Sequence, residues 1–344
     1  MQYTLLGDTG LRVSECSLGT MTFGDDWGWG AERETCEELF ETYADAGGNF
    51  IDTANVYTNG SSERILGDLL DGRRDDFVLA SKYTLSTNPR DPNASGNHRK
   101  NMFRAVDASL DRLNTDYLDL LWVHAYDGLT PLSETMRALD DLVRQGKVHY
   151  VGLSDFPAWA ASRAVTLAEE RDWTRPAALQ FEYNLVERTV ERELLPMADA
   201  LDLGVTAWGP LKAGVLTGKY LDDAGEGRRT QTGQGVTERE NDIAREVVAV
   251  AEELEASPAQ VALAWVRQQG DVIPIVGATK PAHLEDNLAS LTLALDDDHL
   301  ERLDEVSAVD MGFPRDFLTQ PRIREVLYGE TDERLDVDTR SNLF

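Results

Sequence analysis

The sequence predicts an α/β fold: one domain over residues 1–344 that forms a (β/α)8 TIM barrel, with an N-terminal β-hairpin and an extra C-terminal segment. Eight short apolar runs alternate with longer amphipathic segments along most of the chain. Several of the runs are apolar on both faces, as parallel strands covered by helices must be. No Gly-x-Gly-x-x-Gly turn follows an early strand, which disfavours the rival prediction, a doubly wound open sheet.

Each element has its own signal in the sequence. Strands are predicted at residues 17–23, 49–53, 77–83, 117–125, 150–156, 177–184, 204–210 and 272–279. Helices are predicted at 32–45, 63–70, 100–113, 132–145, 157–171, 192–201 and 240–269. In the last of these, Ser257 can cap and Pro258 can start a second helix. Residues 1–16 fit a hairpin that covers one barrel end, and the glycine-rich residues 222–235 are predicted to be a mobile loop.

The composition argues against several classes of function. The chain carries 62 acidic and 33 basic residues, a net charge of -29, and no basic run, so we expect no nucleic-acid partner. No apolar stretch reaches the roughly 20 residues that span a bilayer, and no signal peptide pattern is visible. We therefore expect a cytoplasmic protein with no membrane partner. Cys16 and Cys36 are isolated and fit buried free thiols rather than metal ligands.

The balance of charged residues is unusual. The 62 acidic residues stand against 27 arginines and only 6 lysines. An acidic surface almost without lysine is typical of halophilic proteins, in which high salt screens the repulsion between like charges. An ordinary acidic bacterial enzyme is the alternative. With so few lysines, each one is more informative about the site.

Polar side chains stand where the predicted strands end, which is where barrels of this kind place their chemistry. They include Asp52 and Tyr57 after the second strand, Lys82 after the third and His124 after the fourth. An ammonium beside a phenol stabilises the phenolate and lowers its pKa, and a carboxylate keeps the ammonium charged. An imidazole can bind a substrate oxygen and share its proton. Taken singly, each residue has a structural explanation; together they suit protonation of an oxyanion as hydride reaches a carbonyl carbon.

The chain resembles the aldo-keto reductase superfamily over nearly its whole length, especially its potassium-channel β-subunit-like and bacterial general stress branch. The motifs are "SLGTMTFG", "FIDTANVYTNGSSERILG", "SKY", "TDYLDLLWVH", "LDDLVRQGKVHYVGLSDF", "AWGPLKAGVLTGKY" and "IVGATKPAHLEDN". The resemblance implies a catalytic tetrad in which Tyr57 is the general acid, Asp52 and Lys82 tune it, and His124 orients the carbonyl. It also implies the reversible reduction of a small aldehyde or ketone to an alcohol.

The same resemblance implies a nicotinamide dinucleotide extended across the barrel mouth. The nicotinamide and its ribose would contact Gly19, Thr20, Met21, Ser154, Asp155, Gln180 and Trp208. The pyrophosphate would contact Gly209, Pro210, Leu211, Ala213, Gly214, Leu216, Gly218 and Lys219. The adenosine end would contact Gly277, Thr279, Lys280, His283, Asp286 and Asn287. A glycine-rich loop offers backbone donors to a pyrophosphate, and no metal ion is implied.

Several positions bear on the choice of cofactor. Lys280 stands where a 2′-phosphate would lie, so NADP(H) is favoured over NAD(H), although a lone lysine selects less strongly than a bidentate arginine. Asp155 replaces the usual asparagine, which puts a carboxylate beside the carboxamide. His283 replaces the more common glutamine, and Asp286 shortens the usual glutamate by one methylene.

The substrate itself is not predicted by the sequence. Trp27, Trp29, Tyr126 and Phe313 are candidates for an aromatic substrate pocket, with packing on the rim as the alternative. Two other functions are also considered. A regulatory subunit would keep the cofactor site and turn over slowly, but the intact tetrad argues against it. A Schiff-base lyase would use Lys82 as the nucleophile, which leaves the dinucleotide motifs unexplained.

Overall fold

A computed structural model describes residues 1–221 and 235–329 and contains the predicted closed barrel. Eight parallel strands form it in chain order, and the last strand pairs with the first. The hairpin strands are β1 (Tyr3–Leu5) and β2 (Arg12–Ser14), which pair antiparallel. The barrel strands are β3 (Ser17–Gly19), β4 (Phe50–Asp52), β5 (Val78–Tyr83), β6 (Leu118–Val123), β7 (Val148–Ser154), β8 (Pro176–Glu182), β9 (Gly204–Trp208) and β10 (Val272–Val276). The open-sheet alternative is therefore wrong.

Helices surround the barrel and follow the predicted order. They are α1 (Arg33–Asp45), α2 (Ser61–Leu69), α3 (Arg99–Leu113), α4 (Leu132–Arg144), α5 (Ala158–Arg171), α6 (Leu194–Ala200), α7 (Glu238–Glu253), α8 (Pro258–Arg267), α9 (Pro281–Ala289), α10 (Asp297–Ser307), α11 (Arg315–Leu318) and α12 (Pro321–Tyr328). Ser257 caps α8 through the Gln260 amide, as its position before a proline predicts. The predicted loop over 222–235 lies outside the described residues, except for its last residue.

The C-terminal part of the chain contains more helix than the sequence analysis predicts. No element is predicted from the sequence within residues 281–328, whereas the structure forms α9 to α12 there. The helices α9 and α10 bury two residues each, and α11 and α12 bury none, so the apolar repeat that reveals a helix is weak there. Among the described residues, no helix is both long and apolar enough to cross a membrane.

The barrel interior is filled from one end by the hairpin. Alternate strand residues point inward, and an inner cluster joins Leu6 and Val13 to Phe50, Val78, Ala80, Leu120, Trp122, Ala178 and Ile273. Leu6 and Val13 are fully buried. The hairpin therefore covers the N-terminal end of the barrel, as the sequence predicts, and leaves the carboxyl ends of the strands for the site.

Shortening the buried Leu6 side chain of the hairpin should lower the stability of the protein. We expect Leu6→Ala to lower the free energy of unfolding by about 2–5 kcal/mol, since it removes buried methyl groups and leaves a cavity. The measurement is urea unfolding. The matched control is Leu5→Ala, whose side chain is 54% exposed and should change stability by less than about 0.5 kcal/mol. Equal small losses in both variants would contradict this account of the hairpin.

Candidate active site

Strand alternation places the predicted polar residues together at the barrel mouth. Phe50 faces the barrel interior, so Asp52, two residues later, continues on the same face. Lys82 follows Ala80 and His124 follows Trp122 in the same way. Because parallel strands end at the same edge, the inner face of the barrel is apolar in the middle and polar at its carboxyl end.

A buried ion pair forms the centre of the site. The Lys82 ammonium donates to the Asp52 carboxylate, and these side chains are 1% and 4% exposed. Lys82 Nζ also donates to Tyr57 Oη at 3.1 Å and to the Thr53 carbonyl at 3.2 Å. The three donors of the ammonium therefore all have partners. The structure brings Asp52, Lys82 and Tyr57 into one hydrogen-bonded unit.

The second oxygen of Asp52 has a partner that the sequence analysis missed. The Gln180 amide nitrogen donates to Asp52 Oδ2 at 3.0 Å and to Thr206 Oγ1 at 3.2 Å. The resemblance assigns Gln180 to the nicotinamide carboxamide, yet its nitrogen is used inside the barrel. Its position on the inner face of β8 was visible in the sequence, but a contact across the barrel to β4 was not.

Burial and the ion pair set the protonation states. Burial would lower the pKa of Lys82, but Asp52 and Tyr57 outweigh it and raise that pKa above its ordinary value. Burial raises the pKa of Tyr57 more than Lys82 lowers it. The predicted lowering of the Tyr57 pKa is therefore not found, although its predicted cause, the ammonium, is in contact. The site holds a neutral phenol, which is the form that can donate a proton.

His124 is a neutral imidazole beside this unit. Burial, and then the nearby Lys82 charge, lower the pKa of His124 to about 3. Its ring meets the Tyr57 ring edge-on, with centroids 6.0 Å apart. Nδ1 is buried and has no hydrogen-bond partner among residues 1–221 and 235–329. The imidazole can therefore orient a substrate oxygen as a neutral group.

Residues at the carboxyl ends of β7 and β9 meet at the mouth. Trp208 Nε1 donates to Asp155 Oδ1 at 3.1 Å, and the Trp208 residue is 36% exposed. Asp155 is itself exposed and has a φ of +50°, a backbone region that asparagine and aspartate tolerate. Neighbouring protein atoms partly desolvate the Asp155 carboxyl and so raise its pKa, and the Trp208 hydrogen bond opposes this rise. Ser154 Oγ is buried and lacks a partner within the described chain, so it fits a ligand amide.

The loop after β9 has the backbone shape expected of an anion-binding turn. Lys212, Ala213 and Gly214 have consecutive positive φ angles, a conformation that exposes neighbouring N–H groups. A Cβ at Gly214 would lie 2.5 Å from the Lys219 side chain, so glycine permits this close approach. Lys212 pairs with Glu182 at 2.6 Å, a contact that the sequence analysis missed. Leu211, Leu216 and Gly218 belong to the same turn, and Gly209 and Pro210 lead into it from β9.

The predicted adenosine residues surround the start of α9. Thr279, Lys280 and His283 are exposed there, and helix N-termini attract anions. The predicted adenine contact Asp286 already accepts one hydrogen bond at each carboxylate oxygen, from Ser257 and Gln260 at 2.7 Å each. The backbone of Gly277 lies close to that of Gly19, since a Cβ at Gly277 would be 3.3 Å from the Gly19 carbonyl. Asn287 is buried.

The residues predicted near the nicotinamide ribose lie beside the tetrad. Gly19 pairs with Asp52 across β3 and β4, and the Thr20 amide donates to the Asp52 carbonyl at 3.0 Å. Met21 is half-buried in the following loop. The carboxyl end of β3 therefore lies next to the ion pair.

The aromatic candidates fall into separate places. Trp27 and Trp29 pack together, with ring centroids 5.2 Å apart, in the loop after β3. Tyr126 follows β6 and meets Phe156 and the exposed Trp159 edge-on. Neither contact of Tyr126 is predicted from the sequence.

Phe313 is not brought to the tetrad. Its side chain is 85% exposed and packs on Phe317. Met311 and Arg315, on either side of it in the chain, line a cavity of about 880 Å³ with hairpin residues and the first residues of β9 and β10. That cavity lies toward the opposite end of the barrel from Tyr57.

The chain matches the family model for the aldo/keto reductase family over residues 15–308. It is 35% identical to a norsolorinic acid reductase from Aspergillus flavus, covering 91% of this chain and 83% of that protein. It is 36% identical to an aryl-alcohol dehydrogenase [NADP(+)] from Phanerodontia chrysosporium, covering 89% and 85%. It is also 36% identical to the aldo-keto reductase ausK from Emericella nidulans, covering 92% and 84%.

The low pKa of His124 should make the folded state sensitive to acid. In the unfolded chain the His124 imidazole takes up a proton below about pH 6.5, whereas in the folded protein it stays neutral until about pH 3. The unfolded state therefore gains a proton that the folded state does not, and the free energy of unfolding falls as the pH falls. Relative to His124→Gln, the wild type should lose about 2–3 kcal/mol between about pH 7.5 and about pH 4.5. The measurement is urea unfolding at both pH values. His149→Gln, at a half-exposed histidine, is the control, and an equal pH response in both variants would contradict the assignment.

Proposed function

The chain belongs to the aldo/keto reductase family, and from this premise we propose that it reduces aldehydes or ketones with NADPH, reversibly, with Tyr57 as the proton donor. The observation that carries the proposal is the chain of contacts from Asp52 through Lys82 to Tyr57 at the barrel mouth. A dinucleotide would supply hydride to the carbonyl carbon, and residues of the chain would orient and protonate the carbonyl oxygen.

The site geometry suits protonation of that oxygen. The neutral Tyr57 phenol donates its proton to the developing alkoxide, and the adjacent Lys82 ammonium stabilises the phenolate that remains. Asp52 and Gln180 keep the ammonium in place by occupying the other side of the ion pair. His124, neutral and beside Tyr57, orients the carbonyl oxygen by a hydrogen bond.

The residues at the mouth fit a nicotinamide dinucleotide. The Ser154 hydroxyl, which has no hydrogen-bond partner in the described part of the chain, suits the carboxamide. The partly exposed Trp208 ring offers a face for stacking, and the turn at 209–218 offers N–H groups to the pyrophosphate. Lys280, exposed at the start of α9, suits a 2′-phosphate, so we favour NADP(H). The name of the Phanerodontia chrysosporium relative, which includes NADP(+), supports this choice.

We propose aromatic carbonyl compounds as the substrate class. The relatives include an aryl-alcohol dehydrogenase and a norsolorinic acid reductase. The chain has aromatic side chains in two segments that follow barrel strands, the Trp27–Trp29 pair after β3 and the Tyr126–Trp159 pair near β6 and β7. Flat aromatic side chains favour aromatic ligands through offset or edge-on contacts. The resemblance to the channel β-subunit-like and general stress branch rests on the sequence motifs alone.

The Tyr57 hydroxyl is the group to remove first. We expect Tyr57→Phe to lower kcat by about 10²–10⁴-fold because the proton donor is lost, while NADPH binds with unchanged affinity. The measurements are NADPH oxidation with a panel of aryl aldehydes, alkyl aldehydes and ketones, and NADPH binding by fluorescence. The control is Tyr3→Phe, whose hydroxyl donates to the Gly47 carbonyl beside the hairpin and whose kcat and NADPH affinity should match those of the wild type. Wild-type turnover in Tyr57→Phe would refute the mechanism, and a preference for alkyl substrates would refute the substrate class.

We further propose that the protein is halophilic and works in a salt-rich cytoplasm, on the basis of its net charge of -29 and six lysines. The Debye length falls from about 10 Å at 0.1 M to about 3 Å at 1 M ionic strength, so salt should relieve self-repulsion and the repulsion of anionic NADPH. We expect Tm and NADPH affinity to rise from dilute buffer to molar KCl. An equal osmolality of sorbitol is the control, and a flat response to KCl would contradict the proposal.

A further inference from the structure

The backbone immediately after Tyr57 adopts a conformation that its residues disfavour. Thr58, Asn59 and Gly60 have consecutive φ angles of 45°, 54° and 86°. Asparagine and glycine tolerate the left-handed region, but for a β-branched threonine it is an outlier. Such conformations persist only where surrounding contacts determine them, and they occur at functional sites.

The Thr58 hydroxyl provides those contacts. Thr58 is fully buried, and its Oγ1 donates to the Phe23 carbonyl at 2.6 Å and accepts from the Ser62 amide at 3.0 Å. The N-cap residue of α2 is Gly60, which has no side chain, so Thr58 supplies the capping oxygen from two residues upstream. One hydroxyl therefore joins the Tyr57 turn to α2 and to the loop after β3.

Three more buried hydroxyl groups continue this connection, and together with Thr58 we call them the hydroxyl cluster: Thr20, Thr53, Thr58 and Ser62. Ser62 Oγ donates to the Thr20 carbonyl at 2.8 Å and lies 2.9 Å from Thr53 Oγ1. Thr20 Oγ1 donates to the Asp52 carbonyl at 3.0 Å. The cluster therefore contacts the backbone of Asp52 on one side and the turn that carries Tyr57 on the other.

The loop after β3 packs tightly on the same turn. A Cβ at Gly24 would lie 3.1 Å from Thr58 Oγ1 and 3.2 Å from Ser61 Cβ. This loop also carries the Trp27–Trp29 pair. A change in the turn would therefore reach both the phenol and the loop.

We propose that Thr58 is a positioning residue for the reaction: its hydroxyl holds the left-handed turn that directs the Tyr57 phenol onto the Lys82 ammonium. This inference rests on the proposed function. Lys82 Nζ reaches Tyr57 Oη at 3.1 Å, and the phenol hydroxyl lies at the far end of a long side chain. A small rotation of the backbone at residues 57 and 58 therefore moves it out of contact.

Removing the hydroxyl while keeping the shape of the side chain tests this role. Thr58→Val should lower kcat by on the order of 10²-fold, because a misplacement of about 1 Å costs that much, with NADPH affinity unchanged. Thr58→Ser, which keeps the hydroxyl and removes the β-branch, should restore kcat. Crystal structures of the three proteins should show the Lys82–Tyr57 contact lengthened beyond hydrogen-bond distance in Thr58→Val alone.

The control for a merely structural effect is Ser307→Ala, which deletes a fully buried hydroxyl on α10 and should lower Tm without lowering kcat. Should Thr58→Val fail to fold, Ser62→Ala interrupts the same cluster and should also lower kcat with NADPH affinity unchanged. Wild-type kcat in a folded Thr58→Val, or an undisturbed Lys82–Tyr57 contact, would overturn the inference. A wild type that turns over no carbonyl would instead refute the proposed function, and the crystal structures would still test the positioning.

Discussion

The buried Asp52–Lys82 ion pair is the interaction on which the rest of the site depends. Taking two charges out of water is costly, and their attraction compensates only when the remaining donors and acceptors are also satisfied. Here Gln180 occupies the second carboxylate oxygen, and Thr53 and Tyr57 accept from the remaining ammonium protons. These partners come from β4, β5, β8 and the turn after β4, so the closed barrel is what makes a stable buried pair achievable.

Burial, together with the same pair, determines the charge of the neighbouring side chains. Burial disfavours the charged imidazole, and the nearby Lys82 cation adds to this effect, so His124 stays neutral down to about pH 3. The Lys82 cation also stabilises a phenolate at Tyr57, against the opposing effect of burial. A neutral imidazole, a neutral phenol and one ammonium are the states that suit donation of a proton to an alkoxide.

Most of the lysines in the chain lie near the barrel mouth, although the chain as a whole is strongly acidic. Of the six lysines, Lys82, Lys212, Lys219 and Lys280 lie on β5 or in the segments after β9 and β10, near the barrel mouth. Lys100, Lys147 and the arginines supply the other positive charges, in ion pairs such as Arg112–Glu63 and Arg188–Asp304. Lys82 and Lys212 pair with Asp52 and Glu182, so in a chain with a net charge of -29 the exposed Lys280 is a local source of attraction for an anionic ligand.

The sequence by itself determined the barrel, the hairpin and the four residues at the strand ends. Period-two alternation and the order of strands and helices are local properties of the sequence. Alternation predicts that Asp52 lies on the same inner face as Phe50, and Lys82 on the same inner face as Ala80. The motif resemblance added the cofactor residues.

Only the tertiary structure decided which partners those residues have. The contact of Gln180 with Asp52 spans 128 positions in the chain, and that of Asp286 with Ser257 joins two helices. The sequence shows that Phe313 is aromatic but does not show where its segment packs. The direction of the Tyr57 pKa shift depends on burial, which composition does not reveal. Distances across the barrel arise from closure of the sheet, and no local pattern encodes them.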